Sequence, residues 1–181
     1  GGKTAIDHAG FKNIIGSFYF PLETLIDLNF LMTLSSRELT SGIGEVIKYG
    51  IIADYGFFEY IKENLGEIYE KNTKVLYTIV KESVELKSSI VENDVYDSGI
   101  RQKLNFGHTI GHSIEAYFNY EKYYHGEAVI LGMLLEANMA YIKKFIDYDY
   151  YKEIKNLLLK LIKPYEFSHE EVSKLMQIMQ N

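Results

Sequence analysis

Two histidines four residues apart, His108 and His112, stand in the segment Asn105-Phe106-Gly107-His108-Thr109-Ile110-Gly111-His112. On a helix that spacing puts both imidazoles on one face, where two ring nitrogens can be offered to a single metal centre. Gly107 and Gly111 lie beside them; glycine costs helix stability, so two in one turn suggest close approach by a substrate or another backbone. An isolated pair of this kind is more often a surface pair, or one core histidine with its hydrogen bond satisfied. A third histidine shifts the balance. His125 follows in Tyr124-His125-Gly126-Glu127, at the expected start of a further helix, so three of the 5 histidines fall within one helical hairpin.

A carboxylate completing a His/His/Glu set would leave a coordination position open for water or substrate, the pattern of a catalytic rather than a structural zinc site. Spacing does not select it among 25 acidic residues. Glu45, in Gly42-Ile43-Gly44-Glu45-Val46-Ile47-Lys48-Tyr49-Gly50, is a candidate because it sits among apolar and small residues. A lone carboxylate there is costly to bury unless paired or metal-bound. On spacing alone it reads instead as a helix-surface glutamate beside Lys48. His8 reads as a loop residue, His169 as a surface residue after a serine cap, and the 16 tyrosines as core or interface.

The elements that must position these groups are mostly helices. Residues 1–34 carry glycines and short β-branched runs, Ile14-Ile15 and Thr24-Leu25-Ile26-Asp27, and read as a loop segment with one or two short strands. From residue 35 to 181 the chain reads as one helical metal- and substrate-binding domain. Ser35 with Glu38 three residues on resembles a capping box. A break falls at Asp54-Tyr55-Gly56. Over 73–92, Leu76, Ile79, Val80, Ser83, Leu86, Lys87 and Ile90 recur at helical spacing. Lys87 on that stripe is expected to face a cavity, whereas Lys74 and Lys81 are expected in solvent. A loop through Asn93-Asp94 and Asp97-Ser98-Gly99 follows, then helices over 105–118, 126–145 and 149–162 and a short one capped by Ser168. The fold class is therefore mainly α.

Composition removes several classes of function. A hydrophobic fraction of 47% in 181 residues supports a substantial core, and a formal charge of -6 gives no basic footprint for nucleic acid. Without cysteine there are no disulfides or thiolate metal sites, which is compatible with a cytoplasmic location. The longest apolar-rich stretch, 128–142, includes Glu136 and Asn138 and is too short to span a bilayer. The chain begins with Gly1, so its natural start is expected to lie elsewhere.

In combination, the motifs resemble the 3-dehydroquinate synthases. Gly1-Gly2-Lys3-Thr4-Ala5-Ile6-Asp7 and Gly10-Phe11-Lys12-Asn13-Ile14-Ile15-Gly16 are similar to the family's first signature. Arg37-Glu38 with Glu45-Val46-Ile47-Lys48-Tyr49-Gly50, then Glu85-Leu86-Lys87, follow in family order. So do Arg101, the segment Leu104 to Glu115 and His125-Gly126-Glu127-Ala128-Val129. Gly44 and Ser113 stand where alanine is usual. The resemblance covers residues 1 to about 145. It implies that the chain is about half of a typical member, lacking the N-terminal NAD-binding domain and a lysine-bearing segment beyond Asn181.

The resemblance implies conversion of a seven-carbon phosphorylated keto-acid sugar (DAHP) to 3-dehydroquinate with phosphate release, in the shikimate route to aromatic amino acids. NAD is used catalytically, beside a divalent metal, zinc or alternatively cobalt. By motif position Glu45, His108 and His125 are the metal ligands and His112 is the proton carrier. Lys3 and Asn13 are phosphate contacts, Arg101 grips the substrate carboxylate, and Lys48, Lys87 and Asn105 position the sugar. Lys12 lies near the site. The NAD contacts are unknown, with Lys3 and Lys12 as candidates. The whole enzyme is expected to be a cytoplasmic homodimer without nucleic-acid or membrane partners, and this chain alone is expected to be inactive.

Three other readings fit parts of the pattern. A related sugar-phosphate cyclase such as a 2-deoxy-scyllo-inosose synthase would share the metal set, but Arg101 suits a carboxylated substrate. A metal-dependent polyol dehydrogenase would lack phosphate elimination. A helical interaction domain with incidental histidines leaves the ordered motifs unexplained.

Overall fold

A computed structural model describes residues 2–8 and 11–180, without the side chains of Asp7, Phe11, Lys12 and Asn13. Strands β1 (Lys3–His8) and β2 (Phe11–Phe18) form an antiparallel hairpin with Lys3 opposite Phe18 and Ile6 opposite Ile15. The run from Thr24 to Asp27, expected as a possible strand, is not one. Among the described residues no strand pairs with its backbone. Asp27 acts as a cap there, accepting the Asn29 N–H at 2.9 Å to start a 3-10 helix over Leu28–Thr33.

Helices follow: α1 (Ser36–Ala53), α2 (Tyr55–Glu63), α3 (Leu65–Tyr69), α4 (Thr73–Asn93), α5 (His108–Tyr117), α6 (His125–Ile142), α7 (Tyr148–Leu161) and α8 (His169–Ile178). The mainly α expectation holds. The capping box forms as read, Glu38 accepting the Ser35 N–H at 2.7 Å while Ser35 Oγ accepts the Glu38 N–H at 3.3 Å. Asp54 ends α1 and caps α2 through the Phe57 N–H at 2.9 Å, which is the physical content of the predicted break.

The helix expected from residue 105 starts later. Ile100–Asn105 form a 3-10 helix, and Gly107, at φ +79°, interrupts the chain before His108. Glycine takes that left-handed conformation at no steric cost. A side chain there would also collide with Met133, whose Cγ lies 2.4 Å from the position of a Cβ. The Gly107 N–H is accepted by the Glu136 carboxylate on α6 at 2.8 Å, so the polar interruption in the apolar stretch has a structural use. The helix expected over 126–145 ends at Ile142, where Lys144 turns to φ +61°.

Helix α6 is the centre of the fold. Gly126 to Met133 are buried on every side, as expected of a helix apolar all round. Ile43 and Ile47 of α1, Phe58 of α2, Val129 and Ile130 of α6 and Leu157 of α7 share the main core. Each such side chain contributes about 1.5–3 kcal/mol by burial. A smaller cluster, Ile114, Ala128, Leu131 and Leu175, fastens α5 and α8 to α6. Helix α1 comes unusually near α6: a Cβ on Gly126 would lie 1.8 Å from the Ser41 carbonyl oxygen. The Gly126 N–H is accepted by Ser41 Oγ at 3.0 Å. Glu45 on α1 is thereby held against His125 on the first turn of α6. No helix among the described residues is long and apolar enough to cross a membrane.

Candidate metal centre

Three helices deliver one carboxylate and three imidazoles to one place. Glu45 comes from the middle of α1, His108 and His112 from the start of α5, and His125 from the start of α6. The three histidines offer nitrogens that lie within 4.8 Å of one another. Glu45 Oε1 is 3.1 Å from His108 Nε2 and 3.5 Å from His125 Nε2.

The hydrogen atoms on these rings follow from their outer partners. His108 Nδ1 is 3.2 Å from the Phe106 carbonyl oxygen, which only accepts, so Nδ1 carries the hydrogen. His125 Nδ1 is 3.1 Å from Glu115 Oε2, and a carboxylate there again assigns the hydrogen to Nδ1. In the neutral tautomers both Nε2 atoms therefore turn bare lone pairs toward Glu45. Lys48 Nζ donates to Glu45 Oε2 at 2.6 Å, which occupies the other carboxylate oxygen. With both rings neutral, the buried Oε1 has no hydrogen-bond donor.

Three lone pairs facing a common point repel unless a proton or a metal ion sits among them. Ligand atoms around a tetrahedral ion with bonds of about 2.0–2.1 Å are separated by about 3.3 Å. The Glu45 separations of 3.1 and 3.5 Å fit that spacing. Two triples are candidates, both with His108 and His125: the three histidines, whose ligand nitrogens all lie within 4.8 Å of one another, or the set in which Glu45 replaces His112. The shorter separations and the orphaned oxygen favour Glu45. His112, exposed, has its ring centroid 5.4 Å from His108 and 5.5 Å from His125.

The electrostatics agree with an ion-ready site. Burial opposes the Glu45 charge, yet the two imidazoles and the Lys48 ammonium outweigh it and hold the carboxyl well below the usual carboxylate range. Hydrogen bonding to Glu115 and then to Glu45 pushes the metal-free His125 imidazolium up to about 9 against the penalty of burial. Burial draws Lys48 down, with Glu45 opposing that and Lys87 adding to it.

Beside this centre lies a cleft of about 510 Å³, lined by Lys3, Lys48, Lys87, Arg101 and Asn105 together with Glu45, His108 and His125. Five of the expected substrate-contact side chains are thus on one wall. Lys48 is buried, and so is Arg101, whose Nη1 donates to the Val95 carbonyl at 2.7 Å and whose backbone N–H is accepted by Asp94 at 3.1 Å. Lys87 reaches the cleft but is exposed rather than sunk in the α4 stripe, because it borders open space on both the cleft and the N-terminal segment. Lys3 is paired with Asp97. The side chains of Lys12 and Asn13 lie outside the described residues. Lys74, Lys81 and His169 are exposed, as expected; His8, expected in a loop, is exposed but ends strand β1, opposite Phe11.

Sequence reasoning missed four participants. Glu115 is 4% exposed and falls seven residues after His108 and three after His112, on the same stripe of α5. That periodicity was a usable signal. Tyr49, its phenol pushed up to about 12 by burial and by Glu45, lines the cleft; nothing local distinguishes it from a core tyrosine. Asp97 lines the cleft at φ +59° and has a buried Oδ1 without a hydrogen-bond partner. Glu127 holds Arg37, a contact between residues 90 apart.

Comparison with known proteins returns one family. Residues 42–181 match the profile described as 3-dehydroquinate synthase C-terminal, and residues 1–41 the one described as 3-dehydroquinate synthase N-terminal. The 3-dehydroquinate synthase of Alkaliphilus metalliredigens (strain QYMF) is 50% identical over 160 residues, covering 88% of this chain and 45% of that protein. The one from Caldanaerobacter subterraneus subsp. tengcongensis is 44% identical over 176 residues, 97% of this chain and 49% of that protein. The chain thus spans about half the length of these relatives. Among solved structures, a 2-epi-5-epi-valiolone synthase from Streptomyces hygroscopicus subsp. jinggangensis 5008, with NAD+ and Zn2+ bound, has a TM-score of 0.83 at 23% identity. It covers 99% of this chain and 51% of that one. A 2-deoxy-scyllo-inosose synthase complexed with carbaglucose-6-phosphate, NAD+ and Co2+ has a TM-score of 0.85 at 24% identity, with 98% and 49% covered. At these identities the two structures speak for the fold.

Proposed function

The chain belongs to the 3-dehydroquinate synthase family, and we propose that, within its whole protein, it supplies the metal- and substrate-binding half of an enzyme converting DAHP to 3-dehydroquinate with loss of phosphate. The observation that carries this reading is the convergence of Glu45 Oε1, His108 Nε2 and His125 Nε2 at 3.1 and 3.5 Å beside a cationic wall. Relatives 44 and 50% identical bear that name, whereas the inosose synthase structure is at 24%, which favours this substrate over the alternative.

In this reading Glu45, His108 and His125 hold a divalent ion, zinc in the first place and cobalt in the second. Bound there, the ion would lower the pKa of a substrate hydroxyl, and NAD would accept hydride from the carbon that bears it. His112, one turn from His108, carries a proton to or from the substrate. Arg101, fixed by the Val95 carbonyl, presents a rigid planar cation to the substrate carboxylate. Lys48 keeps Glu45 ionised and, with Lys87 and Asn105, positions the sugar oxygens. Lys3 meets phosphate by exchanging its Asp97 partner; Lys12 and Asn13 remain candidates by motif. NAD contacts come mainly from elsewhere in the protein. A cytoplasmic homodimer is part of the same proposal. The 181 residues alone are expected to bind metal without turnover, because hydride transfer depends on holding cofactor against substrate.

The test is phosphate release and product identity for the whole protein carrying this chain, supplied with NAD and metal, on DAHP and on glucose 6-phosphate. Dehydroquinate from DAHP alone is the expected result. Turnover of the hexose phosphate and not of DAHP would overturn the substrate assignment.

A further inference from the structure

Glu115 is neither one of the metal ligands read above nor among the residues lining the cleft. It is a carboxylate 4% exposed on α5, and burying a charge without compensation is costly. Its Oε2 meets His125 Nδ1 at 3.1 Å. His125 is the first residue of α6, and its side chain is 43% exposed. Packing alone therefore leaves much of that ring's surface without a wall. His108, by contrast, is 16% exposed at the side chain and takes its Nδ1 partner from the nearby Phe106 carbonyl. The two rings differ in what fixes them: local backbone for His108, and a carboxylate ten residues away for His125.

We propose that Glu115 is a positioning residue for the metal centre, its carboxylate orienting the His125 ring and keeping the hydrogen on Nδ1 so that Nε2 is presented to the ion. A histidine that donates its outer N–H to a carboxylate is held in one tautomer and is the more basic ligand for it. The inference rests on the metal reading above and adds a residue to it. The stripe His108, His112, Glu115 then has one function along its length: the first turn of α5 faces the site and the last turn braces the ligand from α6. Gly126 and the Ser41 contact fix where α6 begins, and Glu115 fixes which way its first side chain turns.

The experiment is a zinc titration of the full chain against a competing chelator, with cobalt substitution to read the ligand field by visible absorption. Glu115→Ala is expected to weaken zinc about 10–100-fold and to change the cobalt spectrum. Glu115→Gln, which keeps the shape and an acceptor oxygen but no charge, is expected to lose less, and it carries the test if the alanine variant does not fold. Ser113→Ala is the control. It is buried on the same helix, its hydroxyl donates to the Thr109 carbonyl, and it is expected to bind zinc like the wild type. Wild-type zinc affinity and an unchanged cobalt spectrum in both folded Glu115 variants would overturn this inference and leave the metal reading standing. If the wild-type chain itself takes up no divalent ion, the metal reading falls and this inference with it.

Discussion

Arg37 at the start of α1 grips Glu127 at the start of α6 through two parallel hydrogen bonds, Nε to Oε1 and Nη2 to Oε2, each 2.7 Å long. The same Nη2 donates to the Lys122 carbonyl at 2.6 Å, and the guanidinium lies 4.2 Å above the Tyr124 ring. Glu127 also accepts the Tyr124 N–H at 2.8 Å. The clamp therefore joins the N-terminal turns of the two helices that bring Glu45 and His125 together, in the bidentate geometry that favours arginine over lysine.

Arg37→Ala is expected to cost about 1–3 kcal/mol in denaturant unfolding, since it leaves the mostly buried Glu127 carboxylate without its charged partner. The half-exposed guanidinium places the loss toward the lower end. Lys81→Ala breaks only an exposed 3.7 Å pair with Glu85 and should stay within about 0.5 kcal/mol of the wild type. Equal losses from the two substitutions would mean that the clamp adds nothing beyond surface charge.

Two glycines should respond in opposite directions. Gly126→Ala places a methyl 1.8 Å from the Ser41 carbonyl oxygen and must push α1 from α6, at a cost of more than about 2 kcal/mol and with weaker zinc binding. Gly42→Ala, inside α1 with nothing within 4 Å of the new methyl, should stabilise by about 0.5–1 kcal/mol. Thermal melts with and without zinc measure both.

The contrast between those glycines marks how far the sequence could be read. Helix periods, the Ser35 capping box and the Asp54 break depend on neighbours along the chain, and they were legible. The convergence of His108, His112 and His125 was legible too, because short connections join their helices. Glu45 was not selected by spacing; the family motif singled it out, and only the approach of α1 to α6 brings its oxygen to the imidazoles. Arg37 with Glu127, and Lys3 with Asp97, pair residues 90 and 94 apart, where no local pattern carries the signal. The late start of α5 goes with Gly107 at φ +79°, in a space that Met133 of another helix closes to any side chain.

The C-terminal segment should have its own acid transition. Glu171 accepts the Ser168 N–H and hydroxyls from Tyr165 and Tyr117, which hold its carboxyl at about 2. A depressed acid of this kind contributes stability that is complete above its ordinary value near 4.5 and is lost as pH falls through about 2. Near-ultraviolet circular dichroism of the tyrosines should therefore change in that window before the main core unfolds. Glu171→Gln should remove the change; its persistence in that variant would assign it to another group.

His108 and His112 share a face of α5 but should fail differently when removed. His108 Nε2 is 3.1 Å from the Glu45 oxygen that lacks a donor, a separation matching two ligands on one ion. The His112 ring is displaced, 5.4 Å from His108 between centroids, and is exposed, outside the residues that line the cleft. His108→Ala should therefore abolish stoichiometric zinc uptake by the chain. His112→Ala should keep the metal and, in the whole enzyme, lower kcat by about 10²–10⁴-fold, the range for losing a general acid–base group. Metal analysis separates the roles without relying on turnover, and kinetics then tests the proton-carrying role by itself. A His112→Ala protein that loses zinc while His108→Ala retains it would select the three-histidine triple over the set with Glu45. Retention of metal and rate by both would make the α5 histidines structural and remove the chemistry proposed for this site.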